Sequence, residues 1–306
     1  MQSPTRAQPE ALFVPVRSGA GGQRLGLFHA PASDQLRGLV VYLHPFAEEM
    51  NKSRRMAALQ SRALADAGYA VLQIDLFGCG DSSGGFGDAS WNDWIDDVES
   101  AVQWLQQRLP ASTEVPLWLW GLRAGCLLAV DAACRLQRPC NFLFWAPTCS
   151  GKTVLQQFLR LKVASDLIGG NAKGVMDGLR QQLASGAQVE IAGYRLAAAL
   201  AAGLEASALK PSAPNRSTST PSPRESRSPR VVWLELSTRE DASLTPVAAN
   251  TIALWQQAGF EVSNQVVAGP AFWQTTEIED APALIAASCT AMVNAAPDSR
   301  GQAGST

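Results

Sequence analysis

The chain is 306 residues long and 46% hydrophobic, enough apolar material for the core of one large domain or two small ones. Its 25 basic and 27 acidic residues are spread along the chain and leave a formal net charge of -2, which excludes a basic footprint for nucleic acid or an anionic membrane. A small or uncharged ligand is the expected partner.

Residues 1–10 are polar and carry Pro4 and Pro9, so they lack the apolar centre of a signal peptide. No apolar run is long enough to span a bilayer, and the expected location is the cytoplasm. Cys79, Cys126, Cys134, Cys140, Cys149 and Cys289 show neither CxxC pairing nor metal-type spacing. They read as reduced structural thiols, and no metal or cofactor is expected.

Along the chain, short apolar runs fall at Leu39–Leu43, Ala70–Ile74, Pro116–Trp120 and Asn141–Trp145, as in parallel strands covered on both faces. Helical patterns lie between them. The clearest is the stripe Trp91, Trp94, Ile95, Val98, Val102 and Leu105, opened by a Ser90/Asp93 capping pair. The alternation predicts an α/β fold with a doubly wound, mostly parallel sheet. From 151 to 209 the pattern reads as helices only, over Leu155–Leu167, Val175–Leu183 and Tyr194–Leu209, which predicts a helical lid inserted over the sheet's carboxyl edge. Residues 210–230 are dense in Ser, Pro and Arg and read as a disordered linker. Strands resume at Val231–Leu236 and Glu261–Val267, with helices opening at Thr245-Pro246 and at Asp280-Ala281-Pro282. The domain reading is therefore a core of residues 1–150 and 231–295, a lid at 151–209, a linker at 210–230 and a frayed tail at 296–306.

Gly121-Leu122-Arg123-Ala124-Gly125 follows a predicted strand and precedes a helix. Small residues on both sides are what a βα turn needs to raise a catalytic side chain above a parallel sheet. The central residue is Arg123, however, which stays protonated and cannot be a nucleophile. Upstream, Leu43-His44-Pro45-Phe46 ends a strand. Pro45 has no amide proton, so the amide of Phe46, with that of Ala124, is the candidate two-donor oxyanion or ligand-binding pocket. His44 is either a satisfied strand-end histidine or a nonstandard base. Asp75-Leu76-Phe77-Gly78-Cys79-Gly80-Asp81-Ser82 gives a glycine-rich strand-to-loop turn beside that pocket. Asp241, shortly after a strand and before Thr245-Pro246, stands where a triad acid would sit or serves as an N-terminal-turn carboxylate. Residues 146–153 satisfy a loose phosphate-loop pattern, but the first glycine is missing and Pro147 removes a donor.

These segments, with His44 to Met56, Trp145-Ala146-Pro147 and Phe272-Trp273-Gln274, resemble the exosortase A system-associated hydrolase type 2 group of the α/β-hydrolase superfamily. The resemblance covers about residues 37–160 and returns near the end of the chain. It implies a bacterial cytoplasmic protein linked to exopolysaccharide production and the sorting of PEP-CTERM proteins, with possible partners in that pathway and no defined substrate. The usual chain order in this fold is Ser, then Asp or Glu, then His. His29 and His44 are the only histidines and both precede Arg123; after the last strand stands Gly269-Pro270-Ala271-Phe272-Trp273. Two roles for Arg123 follow: an ion pair with Asp241, or a cation facing a pocket lined by Phe46 and Trp273. Two functions follow as well: an acyl-ester or thioester hydrolase with a nonstandard base, or a catalytically silent protein that binds a small ligand or partner.

Overall fold

The computed structural model describes residues 8–17, 19–108, 115–136, 138–168, 174–211 and 228–293. Six strands form the parallel part of one eight-stranded sheet: β3 (Gly38–Leu43), β4 (Tyr69–Ile74), β5 (Leu117–Leu122), β6 (Cys140–Trp145), β9 (Arg230–Ser237) and β10 (Glu261–Ala268). Two further strands, β1 (Glu10–Pro15) and β2 (Gln23–His29), add antiparallel at one edge and give the order β1-β2-β4-β3-β5-β6-β9-β10. This is the doubly wound α/β fold expected from the alternating pattern. The hairpin β1–β2 has no counterpart in the sequence reading, because β1 is mostly exposed, β2 alternates buried with half-buried positions that include Arg24 and Gly26, and neither presents a continuous apolar run.

Each central strand is buried on both faces, and its side chains divide between two cores. Leu39, Val41 and Leu43 of β3 face one core, while Val40 and Tyr42 face the other. The first core is closed by α2 (Trp91–Gln107), α3 (Gly125–Arg135) and α7 (Pro246–Gln257). The second is closed by α1 (Glu48–Asp66) and α8 (Pro282–Val293). The predicted stripe of α2 is buried as expected, and Ser90 and Asp93 form the reciprocal cap. The order in which strands join the sheet reverses at β3: α1 leaves it on one face and α3 leaves β5 on the other. The carboxyl ends of β3 and β5 therefore flank a crevice of the kind where open α/β sheets bind ligands.

Between β6 and β9 lies an insertion of α4 (Gly151–Ile168), α5 (Val175–Ala184), β7 (Val189–Ile191), β8 (Tyr194–Leu196) and α6 (Ala198–Ala206). The expectation of helices only is corrected here. Ala192 and Gly193 both take positive φ, 49° and 84°, and make a two-residue turn that joins β7 to antiparallel β8. That turn ends any helix through Tyr194. The insertion packs onto the core closely, since a Cβ on Gly203 would meet Trp91, and its own helices α4 and α6 pack as closely, since one on Gly151 would meet the Leu204 carbonyl. Most of the 210–230 segment, and all of the 296–306 tail, lie outside the described residues. Among the described residues no helix is long and apolar enough to cross a membrane.

Candidate functional site

The elbow is built by close backbone approach. Gly121, next to last in β5, lies against the backbone of Cys126, and a Cβ on Gly125 would run into the carbonyl oxygens of Leu43 and His44. Both glycines are thus required to bring the start of α3 against the end of β3. At the apex Arg123 adopts φ 55°, in the left-handed region that a non-glycine residue occupies only under constraint. Its amide is tied to the carbonyl of Trp145 at 3.0 Å. Ala47 in the facing loop is also at positive φ, 49°.

The side chain of Arg123 turns toward α1 and the insertion. Its Nε lies 3.4 Å from Glu49 Oε1, its Nη2 donates to Gln157 Oε1 at 3.2 Å, and its Cζ sits 5.5 Å from the centre of the Trp273 ring. The Arg123–Asp241 pair weighed on the sequence is not formed. Asp241 is on an outward turn after β9, 84% exposed, and its ion pair is with Arg239 at 3.7 Å.

Glu49 and its neighbour Glu48 open α1, where the helix dipole favours carboxylates. Burial pushes the Glu49 carboxyl up to about 7, against the opposing pull of Arg123. Burial also raises Glu48, whose Oε2 is enclosed without a hydrogen-bond partner. Glu49, Gln157 and Gln274, which completes the shell around Glu49, had no assigned role in the sequence reading. A carboxylate pair in a first helical turn reads as a dipole complement, and Gln157 lies on a helix that no motif connects to the elbow.

His44 is buried among aromatic rings, with Trp94 at 6.1 Å. Its Nδ1 donates to the Pro45 carbonyl at 2.8 Å and its Nε2 accepts from the Leu76 amide at 3.4 Å, an arrangement only the neutral Nδ1–H tautomer satisfies. Burial holds its pKa below that of a free imidazole. His29 is engaged with Gln73 at 3.0 Å, and burial lowers it to about 4.

The Phe46 ring packs on Phe86, Trp94 and the Phe158 ring of the insertion, at 5.5, 5.8 and 5.2 Å. Only its amide, with that of Ala124, remains for the crevice; neither makes a backbone hydrogen bond among the described residues. Trp273 is buried with its Nε1 unpartnered.

The other nucleophile types are taken up elsewhere. Cys126 is fully buried on the Gly121 carbonyl, and burial pushes its thiol well up. Ser82 bridges the Asp75 carbonyl and the Leu25 amide, and Ser83 accepts from the Gln23 amide. In the phosphate-loop-like segment, the amides of Gly151 and Thr153 bond to Ser207 and Ser150, so they do not converge on a phosphate. No group of three His, Cys, Asp or Glu side chains among the described residues is placed to hold a metal ion.

A family profile described as serine aminopeptidase, S33 matches residues 34–194, just over half of the chain. The human protein ABHD12B is 33% identical over 95 residues, which make up 31% of this chain and only 24% of that protein. Among solved structures, the ferulic acid complex of Est1E from Butyrivibrio proteoclasticus matches with a TM-score of 0.60 at 15% identity, over 93% of this chain and 98% of the other. XC6422 from Xanthomonas campestris, described as an a/b serine hydrolase without lid, matches at 0.53 and 13% over 95% and 97% of the two chains. A soluble variant of monoglyceride lipase from Saccharomyces cerevisiae gives 0.53 and 14% over 94% of each. At these identities the structural matches carry the fold alone. The matched profile runs from β3 through the elbow into the insertion, and the chain belongs to the serine aminopeptidase S33 family of the α/β-hydrolase superfamily.

Proposed function

We propose that this chain binds a small ligand with an anionic group at the elbow, and that its Ser-His-Asp triad is incomplete, so that it does not turn over esters by the serine route. The observation that carries this reading is the loose hold on Arg123. Three other arginines make two-pronged carboxylate pairs: Arg54 with Asp75 at 2.9 and 3.1 Å, Arg55 with Asp280 at 2.7 and 2.8 Å, Arg108 with Glu10 at 2.7 and 2.8 Å. Arg180, Arg230 and Arg239 make single contacts at 3.3, 3.2 and 3.7 Å, but each of these side chains is more exposed than that of Arg123. Arg123, largely enclosed, makes a single long contact to its carboxylate, 3.4 Å, and one bond to Gln157, which leaves guanidinium donors unengaged, and the Phe46 and Ala124 amides of the same βα turns make no backbone bond among the described residues. A guanidinium held this way is arranged to accept a planar anion. The insertion, reaching Arg123 through Gln157 and Phe46 through Phe158, acts in this reading as the lid over the bound ligand.

Family membership and the two free amides favour a second reading, hydrolysis of an ester or thioester with a nonstandard base. The resemblance of His44 to Met56 and of the other quoted segments supports a setting in the bacterial cytoplasm, in exopolysaccharide production and PEP-CTERM sorting.

Chromogenic acyl esters of short to long chain, a serine-directed fluorophosphonate and calorimetric titration with hexanoate separate the two readings. Binding reads as hexanoate uptake that is lost in Arg123→Ala, with no turnover and no labelling. Ester turnover that disappears in His44→Ala and Asp241→Ala would overturn it in favour of the hydrolase.

A further inference from the structure

The geometry points to Glu49 as the residue that sets ligand charge at this site: a monocarboxylate enters together with one proton, replacing Glu49 on Arg123 while Glu49 takes the proton. This rests on the anion-binding reading above and adds the ligand class and its pH dependence.

Arg123 and Glu49 are only 16% and 14% exposed, too enclosed for water to screen an added charge. The groups facing Glu49 come from every element around it. Arg123 comes from the elbow and Glu48 from α1; Lys52, also on α1, acts on Glu48 and reaches the Gln274 carbonyl at 3.4 Å. Tyr42 lies on β3 beneath, and the insertion contributes the neutral Gln157 through Arg123. Neutral Trp273 and Gln274 come from the loop after β10.

With both carboxylates ionised, the positive charges of Arg123 and Lys52 are balanced by Glu48 and Glu49. An incoming anion that leaves Glu49 charged would place a surplus negative charge against the unpartnered Glu48 Oε2. Protonating Glu49 removes that surplus and frees the Nε of Arg123 for the ligand carboxylate. The exchange is balanced: one proton goes onto Glu49, and one carboxylate replaces another on the guanidinium. A dianion would still leave one charge uncompensated, so the site discriminates against sulfate.

The Glu49 carboxyl sits at about 7 in the free chain, and losing Arg123 to the ligand raises it further, so above pH 7 binding takes up a proton and strengthens as pH falls, and below pH 7 it levels off. Hexanoate itself stays ionised above about pH 5.5, well clear of an ordinary carboxyl pKa of about 4.3.

The test is calorimetric titration of the full chain with sodium hexanoate and with sodium sulfate from pH 5.5 to 8.5. It uses two buffers of different ionisation enthalpy, and wild type, Glu49→Gln and Arg123→Ala. The expected result is wild-type hexanoate affinity that falls about tenfold per pH unit above 7. Proton uptake approaches one per ligand above pH 7 and declines below it, where Glu49 of the free chain is already protonated; Glu49→Gln binds without pH dependence, and sulfate binds more weakly throughout. The buffer comparison on wild type stands even where Glu49→Gln does not fold. Hexanoate binding that needs Arg123 but is flat in pH without proton uptake, or sulfate binding as tight as hexanoate, overturns this inference and leaves the anion site standing. No hexanoate binding by wild type or Glu49→Gln at any pH overturns both.

Discussion

Arg123 is held at φ 55°, a conformation that costs an L-residue on the order of 1 kcal/mol and glycine almost nothing. Arg123→Gly should therefore be more stable than Arg123→Ala by roughly 0.5–1 kcal/mol, read from urea midpoints of the two variants. A midpoint lower for glycine than for alanine would show that the elbow is not strained at this residue. Glu49 supplies a second prediction at this scale. Its folded-state carboxyl sits at about 7, above the 4.5 of an unperturbed glutamate, so its protonated form favours folding below pH 4.5 and that contribution disappears as pH rises through 7. Wild type should lose stability relative to Glu49→Gln between pH 4.5 and 7, by up to about 3 kcal/mol, in denaturation curves taken across that range. Arg123 was legible in the sequence as the residue at the apex, since the flanking glycines mark the turn. Its partner was not: Asp241 has the right chain position for a triad acid, yet the turn after β9 carries it into solvent, while Glu49 reaches the site from a helix that local pattern connects only to its own dipole.

At the scale of elements, the elbow depends on Gly125 having no side chain. Gly125→Ala should cost about 2–3 kcal/mol, because the obstructing atoms are the backbone carbonyls of Leu43 and His44 and cannot rotate away. A thermal shift within a degree of wild type would mean that β3 and α3 can separate without penalty. Central strands and α2 were readable because burial on both faces, or on one helical stripe, writes the period directly into the residues. Two elements escaped for the opposite reason. The β1–β2 hairpin lies at the sheet's edge with mixed burial, and the β7–β8 hairpin turns on Ala192-Gly193, where the commoner Asn-Gly signal is absent.

For the whole molecule, one ion pair ties the antiparallel edge to the parallel core. Arg24 of β2 and Asp97 of α2 meet at 2.6 Å, both side chains fully enclosed, and Asp97 also accepts from the Phe77 amide at 2.6 Å beside the glycine-rich loop. Arg24 lies over the Phe77 ring at 4.7 Å as well. Asp97→Ala would leave a buried guanidinium without its counter-charge, and the expected loss is about 3–5 kcal/mol in urea denaturation. A loss below about 1 kcal/mol would show that water reaches Arg24 once the carboxylate is gone.

The residues alone determined the α/β architecture, the glycine-framed turn at 121–125 and the presence of an arginine at its apex, because strand runs, helical stripes and obligatory small residues are local consequences of burial and backbone approach. Only the tertiary structure decided what that arginine meets. Glu49, Gln157 and Trp273 come from three separate segments, brought together where α1, the insertion and the loop after β10 converge on the carboxyl ends of β3 and β5. The same packing decided that both nitrogens of His44 are taken up by neighbouring backbone groups. Charge contacts of this kind depend on which elements share a sheet edge, and that is a property of sheet order rather than of any stretch of sequence.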